Sequence, residues 1–442
     1  MKRLLPFAVL GLFLAGSASA QDRLLPFDPT VETLENGLQV ILIPMSAEGL
    51  VSHWTLVRVG ARDEIDDGRT GFAHFFEHMM FRGTEKFPAE VYNQKITSIG
   101  SNSNAFTSTD FTAYHNTLAV KDLGTLLELE SDRFQNLSYS EEAFQTEAGA
   151  VYGEYRKNRA SPFFTIYEAV RQEAFDTHTY GHTAMGFVED IQQMPTGFSY
   201  SAEFFDRFYR PDNSILVIVG DIDVDETLEM VRRYYGGWKT GYQEPTVPQE
   251  PEQTAEKRID VAYEGSTLPI LWLSYKFPAY DPSSVSQVAA RVLAELAFGQ
   301  TSEVYRKLVL EDQSVVSLAG GPDATRDPGV FDLYSMVKDP AKVDSVLADL
   351  DAAMAKLKAE PPSEESVAAI RSRLRYGFLM ALDTPESVAG SLAQQISLTG
   401  TLEGVETYYE TLAKVTPADV QQAAEAYFDA KRRTVAVLRG KS

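Results

Sequence analysis

The sequence repeats itself at long range. Residues 51–61, VSHWTLVRVGA, align with residues 269–279, PILWLSYKFPA, and residues 208–220, FYRPDNSILVIVG, align with residues 427–439, YFDAKRRTVAVLR. The two displacements are 218 and 219 residues. Chance similarity between amphipathic segments is the alternative, but it does not account for two nearly equal displacements. The pattern therefore predicts a tandem duplication of one structural unit.

Each copy combines short strands with amphipathic helices. Alternating β-branched segments such as residues 38–43 are typical of strands. We therefore predict an α+β fold of two homologous domains, each a mainly antiparallel sheet covered by helices. A Pro- and Glu-rich segment at residues 241–257 has no hydrophobic period, which predicts a linker. The domains are then expected at residues 21–240 and 258–442, with a metal site in the first domain alone.

The first twenty residues have the pattern of a secretory signal peptide. Lys2 and Arg3 precede an apolar run, which ends in the small residues Ala18-Ser19-Ala20. A membrane anchor is the alternative, but the run is too short to span a bilayer. We expect cleavage after Ala20 and an exported, periplasmic protein with no membrane span after cleavage.

Charge and cysteine content exclude several classes of function. The chain has 40 basic and 63 acidic side chains, a formal charge of -23 and no cysteine. This balance argues against nucleic-acid binding and against docking on anionic lipid, because both depend on clustered Lys and Arg. The lack of cysteine excludes disulfides, thiolate metal sites and Cys nucleophiles.

The strongest local motif is H-x-x-E-H, formed by His74, Glu77 and His78. On a helix, residues four apart share a face, so both imidazoles can address one metal ion with Glu77 beside them. Two neutral histidines and an adjacent carboxylate suit a zinc site in which the carboxylate accepts a proton from a zinc-bound water nucleophile. The alternative is a helix whose histidines merely pack, but burial of these polar groups without partners would be unfavourable.

Two histidines leave a catalytic zinc site one protein ligand short. The segment at residues 141–158 carries Glu147 and Glu154 one heptad apart and hence on one helix face. One carboxylate could bind the metal while the other orients a ligand, and spacing alone does not rank them.

These residues resemble the pitrilysin and insulinase family of zinc metallopeptidases (inverted zincins), in particular its short bacterial members and the β subunit of mitochondrial processing peptidase. The resemblance extends from about residue 31 to residue 440. It implies that His74, His78 and Glu154 bind one Zn²⁺ per chain, that Glu77 is the general base, and that Glu147 supports a ligand.

A second matching segment, residues 101–118, reads as two short strands around a turn. The resemblance implies that the first strand binds substrate by β-addition. Asn104 and Ala105 would contact the substrate backbone, and Phe106 would line a pocket beside the scissile bond. The alternative is an ordinary surface hairpin.

The second half departs from the family pattern. Members that act alone usually carry an Arg and, seven residues later, a Tyr that hold the substrate and the transition-state oxygen. Here those positions become Val309 and Val316, while Tyr305 and Arg306 are out of register. Valine donates no hydrogen bond, so the resemblance implies a homologous partner subunit that supplies the Arg and Tyr in a heterodimer. A homodimer is less favoured because both copies lack the donors.

The expected function is zinc-dependent endopeptidase activity on short or unfolded peptides. The main alternative is a catalytically silent binding or assembly subunit, and a structural zinc protein is a weaker one because Glu77 would then have no role. Manganese or cobalt could occupy the same ligands. Four further histidines are expected to be packing or surface residues: His53, His115, His178 and His182.

Overall fold

The computed structural model describes residues 24–441. The signal peptide predicted for residues 1–20 lies outside the described residues. The strands in the described part are β1 (Thr30–Thr33), β2 (Gln39–Pro44), β3 (Leu50–Val57), β4 (Asn102–Thr107), β5 (Thr112–Ala119), β6 (Ser214–Gly220), β7 (Lys257–Tyr263), β8 (Ile270–Phe277), β9 (Val315–Pro322), β10 (Gly329–Val337) and β11 (Arg433–Gly440).

The strands form two sheets with the same topology. The first has the order β1-β2-β6-β3-β5-β4, and the second has the order β7-β11-β8-β10-β9. One neighbouring pair is parallel in each sheet, β2 with β6 and β7 with β11, and the other pairs are antiparallel. Apart from β1, the two orders match strand for strand. This confirms the predicted α+β fold with two homologous domains in tandem.

Helices cover both sheets. They are α1 (Phe72–Met79), α2 (Ala89–Ser98), α3 (Leu123–Asn136), α4 (Glu141–Arg159), α5 (Pro162–Ala174), α6 (Val188–Gln193), α7 (Phe198–Phe208), α8 (Val224–Tyr235), α9 (Val285–Phe298), α10 (Glu303–Tyr305), α11 (Val343–Ala359), α12 (Glu364–Met380), α13 (Pro385–Thr399), α14 (Glu403–Lys414) and α15 (Pro417–Tyr427). A π-helical turn at Arg306–Glu311 continues α10.

Two helices cross between the halves of the chain. Helix α5, from the first half, packs Ile166 and Val170 against Trp272 and Leu438 of the second sheet. Helix α13, from the second half, buries residues including Leu392 against the first sheet. Each sheet therefore has one face covered by a helix from the other half, which joins the two halves through apolar cores.

The segment between the two sheets is irregular but anchored. Residues 241–256 contain no helix or strand. Within this segment the Glu250 carboxylate accepts hydrogen bonds from the backbone of Asp176, Thr177 and His178 and pairs with Lys276. The domain limits expected at residues 241–257 stay a prediction. Within residues 24–441, no helix is long and apolar enough to cross a membrane.

Candidate metal centre

Helix α1 carries the H-x-x-E-H motif and begins at an unusual cap. Gly71 precedes it with φ of 85°, and a Cβ there would come within 2.5 Å of the Met185 carbonyl oxygen. The buried Glu64 carboxylate accepts hydrogen bonds from the backbone N–H groups of Gly71 and Ala73, at 2.8 and 2.7 Å. Glu64 thus satisfies two backbone donors at the start of the helix.

Aromatic packing fixes which face of α1 is buried. The Phe75 ring contacts Phe144 edge to face at 4.8 Å, and the Phe76 ring stacks on Phe204 at 5.1 Å. These rings are fully buried. An eight-residue helix is only marginally stable by itself, so this packing sets the position of α1. The side chains of the H-x-x-E-H motif lie on a different face of the helix from these two rings.

The long helix α4 supplies the carboxylates. Ser140 caps the start of α4 by accepting a hydrogen bond from the Ala143 N–H at 3.1 Å. Basic residues in the last turn interact favourably with the negative end of the helix dipole. Glu147 lies on its buried face, and the Glu154 side chain keeps 38% of its surface exposed.

Three donor atoms converge between α1 and α4. The ligand atoms of His74, His78 and Glu154 lie within 4.8 Å of one another, the one such group within residues 24–441. The Glu154 Oε2 atom is 3.7 Å from His74 Nε2 and 3.4 Å from His78 Nε2. Ligands at about 2.0–2.1 Å from a tetrahedral zinc ion would be about 3.3 Å apart. The donor set and its spacing therefore fit a zinc ion.

Burial keeps the His74 imidazole neutral. Burial, followed by the nearby His78, lowers the pKa of His74 to about 3. The imidazole is therefore unprotonated over the physiological pH range, as a metal ligand must be. Its Nδ1 atom is buried and has no hydrogen-bond partner within the described residues.

The two carboxylates of α4 contact opposite nitrogens of His78. Glu147 Oε1 lies 2.8 Å from His78 Nδ1, while Glu154 Oε2 faces Nε2. Glu147 also forms an ion pair with Arg82. The sequence left the order of the two carboxylates open, and the geometry separates them: Glu147 lies against Nδ1 of His78, whereas Glu154 lies near the Nε2 atoms of both His74 and His78.

Glu77 is held from strand β4. The Thr107 hydroxyl donates a hydrogen bond to Glu77 Oε2 at 2.7 Å. Burial raises the pKa of Glu77, while the Thr107 hydrogen bond and His78 lower it. The carboxylate is thus more basic than one on the surface and lies beside the three donor atoms.

The predicted hairpin is present as β4 and β5, and β4 is the edge of its sheet within the described residues. Asn104 and Ala105 lie on this edge strand. The Phe106 ring contacts Trp54 at 6.2 Å and Phe111 at 5.7 Å, on the α13 side of the sheet. Neighbouring strand residues point to opposite faces, so Phe106 points away from Glu77, which Thr107 contacts. The predicted pocket beside the scissile bond at Phe106 stays a prediction.

The other histidines lie in packed surroundings. His53, His178 and His182 are buried, and the His115 ring stacks on Trp54 at 4.4 Å. None belongs to the group of converging donors in the described part of the chain.

A cavity of about 1370 Å³ lies between the two halves. Its wall includes Ser108–Phe111, which follow β4, and Asn158, one helical turn after Glu154. From the second half, Val316 on β9 and Tyr305 on α10 line it, whereas Val309 lies on the π-helical turn and packs against the core. The volume is large enough for a peptide of several residues.

Family models match both halves of the chain. The model described as "Insulinase (Peptidase family M16)" matches residues 40–186, and the model described as "Peptidase M16 inactive domain" matches residues 201–374. The chain belongs to peptidase family M16. The five residues of the H-x-x-E-H and two-glutamate pattern all lie in the first of these ranges, so this M16 chain has its candidate metal centre in the insulinase-type half.

Relatives known by sequence and by structure match this M16 protein over nearly its full length. It is 26% identical to the zinc protease PqqE of Helicobacter pylori over 99% of both chains. It is 22% identical to the β subunit of mitochondrial-processing peptidase of Lentinula edodes, over 95% of this chain and 90% of the relative. A protease structure from Helicobacter pylori superposes with a TM-score of 0.88 at 26% identity, covering 93% of this chain and 99% of the other. Zinc proteases are thus its relatives.

Sequence reasoning missed three residues that hold the site. Arg82 is one helical turn after His78, and Thr107 directly follows Phe106. Both are therefore close in sequence to residues that the motifs had already singled out. Glu64 had no comparable signal, because its role depends on a backbone turn that returns it to the start of α1.

Proposed function

We propose that this M16 protein is a zinc-dependent metalloendopeptidase that hydrolyses short or unfolded peptides, with one zinc ion held by His74, His78 and Glu154. The observation that carries the proposal is the convergence of these three donors beside Glu77, at separations suited to zinc. The zinc-protease names of the relatives support the choice of metal.

In this proposal Glu77 acts as general base. A bound zinc ion would supply a Lewis acid that polarises the peptide carbonyl and makes water more acidic. Glu77 accepts the proton of the attacking water and returns it to the departing amine, helped by a pKa that burial raises. Thr107 keeps the carboxylate in place, and Glu147 keeps the His78 ring oriented.

The substrate would add to the free edge of β4. Backbone groups of Asn104 and Ala105 would pair with the peptide main chain, which gives affinity across many sequences. The Phe106 ring, on the face of β4 away from Thr107, would line a pocket beside the scissile bond. The cavity beyond β4 would accommodate unfolded peptide and exclude folded protein.

We further propose that full activity requires a homologous subunit that supplies an Arg and a Tyr. Val316 lines the cavity with 48% of its surface exposed and donates no hydrogen bond. Tyr305 lines the same cavity and is the candidate for a donor within the chain, so a Tyr305→Phe variant separates the two possibilities. Export to the periplasm through residues 1–20 is part of the same proposal.

The decisive experiment is hydrolysis of a quenched fluorescent unfolded peptide by the mature chain, alone and mixed with a co-encoded homologue that carries the Arg and Tyr. We expect activity in the mixture that is lost with a chelator and falls at least about a thousandfold with Glu77→Gln. Exposed Glu311→Gln is the matched control. Equal rates without the partner would contradict the shared site, and activity independent of Glu77 would contradict the peptidase assignment.

A further inference from the structure

The turn that follows Thr107 meets a loop from the second half of the chain. Residues 108–111, the β4–β5 turn, join β4 to β5, and residues 323–328, the β9–β10 loop, join β9 to β10. In the two matching strand orders, these hairpins occupy equivalent positions at one edge of each sheet. Both line the cavity, through Ser108–Phe111 and Asp323–Thr325. The duplicated fold therefore brings its two equivalent turns together at the cavity wall.

Backbone contacts from the first half hold one side of the β4–β5 turn. The Arg62 N–H donates a hydrogen bond to the Thr109 carbonyl oxygen at 2.9 Å. A Cβ at Gly60 would come within 2.5 Å of the carbonyl oxygens of both Ser108 and Thr109. The turn therefore packs directly on the backbone at residue 60, where a side chain would displace it.

Asp110 connects the β4–β5 turn to the second half. Its carboxylate is buried and accepts hydrogen bonds from the Tyr180 hydroxyl at 2.6 Å and from the Arg326 N–H at 3.3 Å. The same Tyr180 hydroxyl accepts a hydrogen bond from the Asp327 N–H at 3.1 Å. Two consecutive backbone donors of the β9–β10 loop are thus bound to Asp110 and Tyr180. Withdrawal of the loop would leave a buried carboxylate with fewer partners, which is unfavourable.

Ion pairs fix the β9–β10 loop against the first half. Arg62 Nε donates to the Asp327 carboxylate at 2.6 Å. Arg326 Nη1 lies 3.6 Å from Asp63, and its Nη2 donates to Glu244 at 2.6 Å. The side chains of Arg326 and Asp63 are both buried. Separation of a buried pair leaves an uncompensated charge, so these contacts restrain the position of the loop.

Thr107 lies where the β4–β5 turn begins. It pairs with Thr112 across the two strands, and the Thr112 hydroxyl donates to the Val59 carbonyl oxygen at 2.9 Å. The hydrogen bond from Thr107 to Glu77 is 2.7 Å long, and hydrogen bonds weaken steeply as their geometry departs from the optimum. A displacement of the turn is therefore transmitted to the contact that holds Glu77.

We propose that the β9–β10 loop of the second half positions the general base of the metal centre. The loop restrains the β4–β5 turn through Asp110, and the turn in turn restrains Thr107, which holds Glu77. Tyr180 and Arg326 are then positioning residues that act on Glu77 through Thr107. This inference rests on the proposed peptidase function. It gives the half of the chain without the metal centre a direct part in the geometry of that centre.

A double-mutant cycle distinguishes this role from simple stabilisation of the contact between the halves. Tyr180→Phe removes the hydroxyl that joins Asp110 to the loop. In the same quenched-peptide assay, we expect it to lower kcat about fivefold with little change in KM, but less than about twofold when Thr107 is already Val. Lys276→Gln is the control, because Lys276 binds the Ala174 carbonyl of the other half without touching the turn. Its effect should be the same in both backgrounds.

Hydrogen exchange measured by mass spectrometry gives a readout that is independent of turnover. Exchange in peptides that cover residues 102–112 should be at least about fivefold faster in Tyr180→Phe and should keep the parental rate in Lys276→Gln. Arg326→Gln tests the same coupling from the second half, and both its kinetics and its exchange should follow those of Tyr180→Phe. Urea unfolding midpoints close to that of the parent would show that each variant is folded.

The outcomes separate this inference from the proposed function. Glu77-dependent hydrolysis, with equal effects of Tyr180→Phe in the two Thr107 backgrounds, would overturn the positioning role and keep the peptidase. Faster exchange at residues 102–112 without Glu77-dependent hydrolysis would support the restraint of the turn but overturn the peptidase, and with it the positioning of a base. Parental exchange and parental kcat in both Tyr180→Phe and Arg326→Gln would overturn the inference outright.

Discussion

The hydroxyl of Thr107 lies 2.7 Å from Oε2 of Glu77 and donates a hydrogen bond to it. Thr107 ends β4, and Glu77 lies on α1. This one contact joins the proposed substrate strand to the proposed general base. A peptide that adds to β4 therefore binds to the strand that positions the base.

We expect Thr107→Val to lower kcat about tenfold with little change in KM, because it removes a hydrogen bond to a charged group without altering the strand edge. Thr107→Ser keeps the hydroxyl and should retain most of the activity. Steady-state kinetics on one peptide would measure both. Equal losses in the two variants would indicate that the methyl group and packing matter instead of the hydrogen bond.

Glu147 and Glu154 should affect metal binding differently. Glu154→Gln removes a proposed ligand and should abolish stoichiometric zinc. Glu147→Gln replaces the charged partner of His78 Nδ1 with a neutral amide and should weaken zinc affinity about 10–100-fold. Competition with a chromophoric chelator would measure both affinities. Exposed Glu142→Gln on the same helix is the control and should bind zinc normally. The reverse order of effects would exchange the two roles.

The crossing helices should make the two halves interdependent. Leu392, on α13, is fully buried in the core of the first sheet, so Leu392→Ala should lower the free energy of unfolding by about 2–5 kcal/mol. Leu310→Ala, at a position 59% exposed, should change it by less than about 0.5 kcal/mol. Urea titration monitored by circular dichroism would measure both. Residues 24–256 expressed alone should lack a cooperative transition, and a normal one would contradict interdependence.

Two buried histidines should each contribute a loss of stability in mild acid. Burial lowers the pKa of His53 and of His182 to about 4, from 6.5 in the unfolded chain. Between pH 6.5 and 4 these histidines bind more protons in the unfolded state than in the folded state. Their contribution to the free energy of unfolding is therefore fully present above pH 6.5 and is lost as the pH falls. Each histidine adds up to about 1.4 kcal/mol per pH unit to the slope.

Urea unfolding of the parent chain and of His182→Gln at pH 7.5, 6.5, 5.5 and 4.5 would test this. For the variant, the slope of unfolding free energy against pH should correspond to about one proton fewer than for the parent, whatever its stability at pH 7.5. An unchanged slope would mean that His182 is protonated equally in both states.

The tandem fold was predictable from the sequence because two similar segments recur at nearly one displacement. The edge hairpin was also predictable, since residues 101–118 alternate around a turn, and β4 and β5 are found there. The crossing of α5 and α13 was not. Amphipathic patterns show that a helix buries one face but do not say against which sheet, because an apolar face is complementary to any other.

The sequence by itself determined that His74, Glu77 and His78 are close together, because a four-residue spacing on a helix is local geometry. It also placed Glu147 and Glu154 on one face of α4. Only the tertiary structure decided which carboxylate faces Nε2 of His78, since that depends on how α4 crosses α1. The same holds for Thr107, whose partner Glu77 is 30 residues away in the chain. The two meet because packed cores fix the helices and sheets relative to one another.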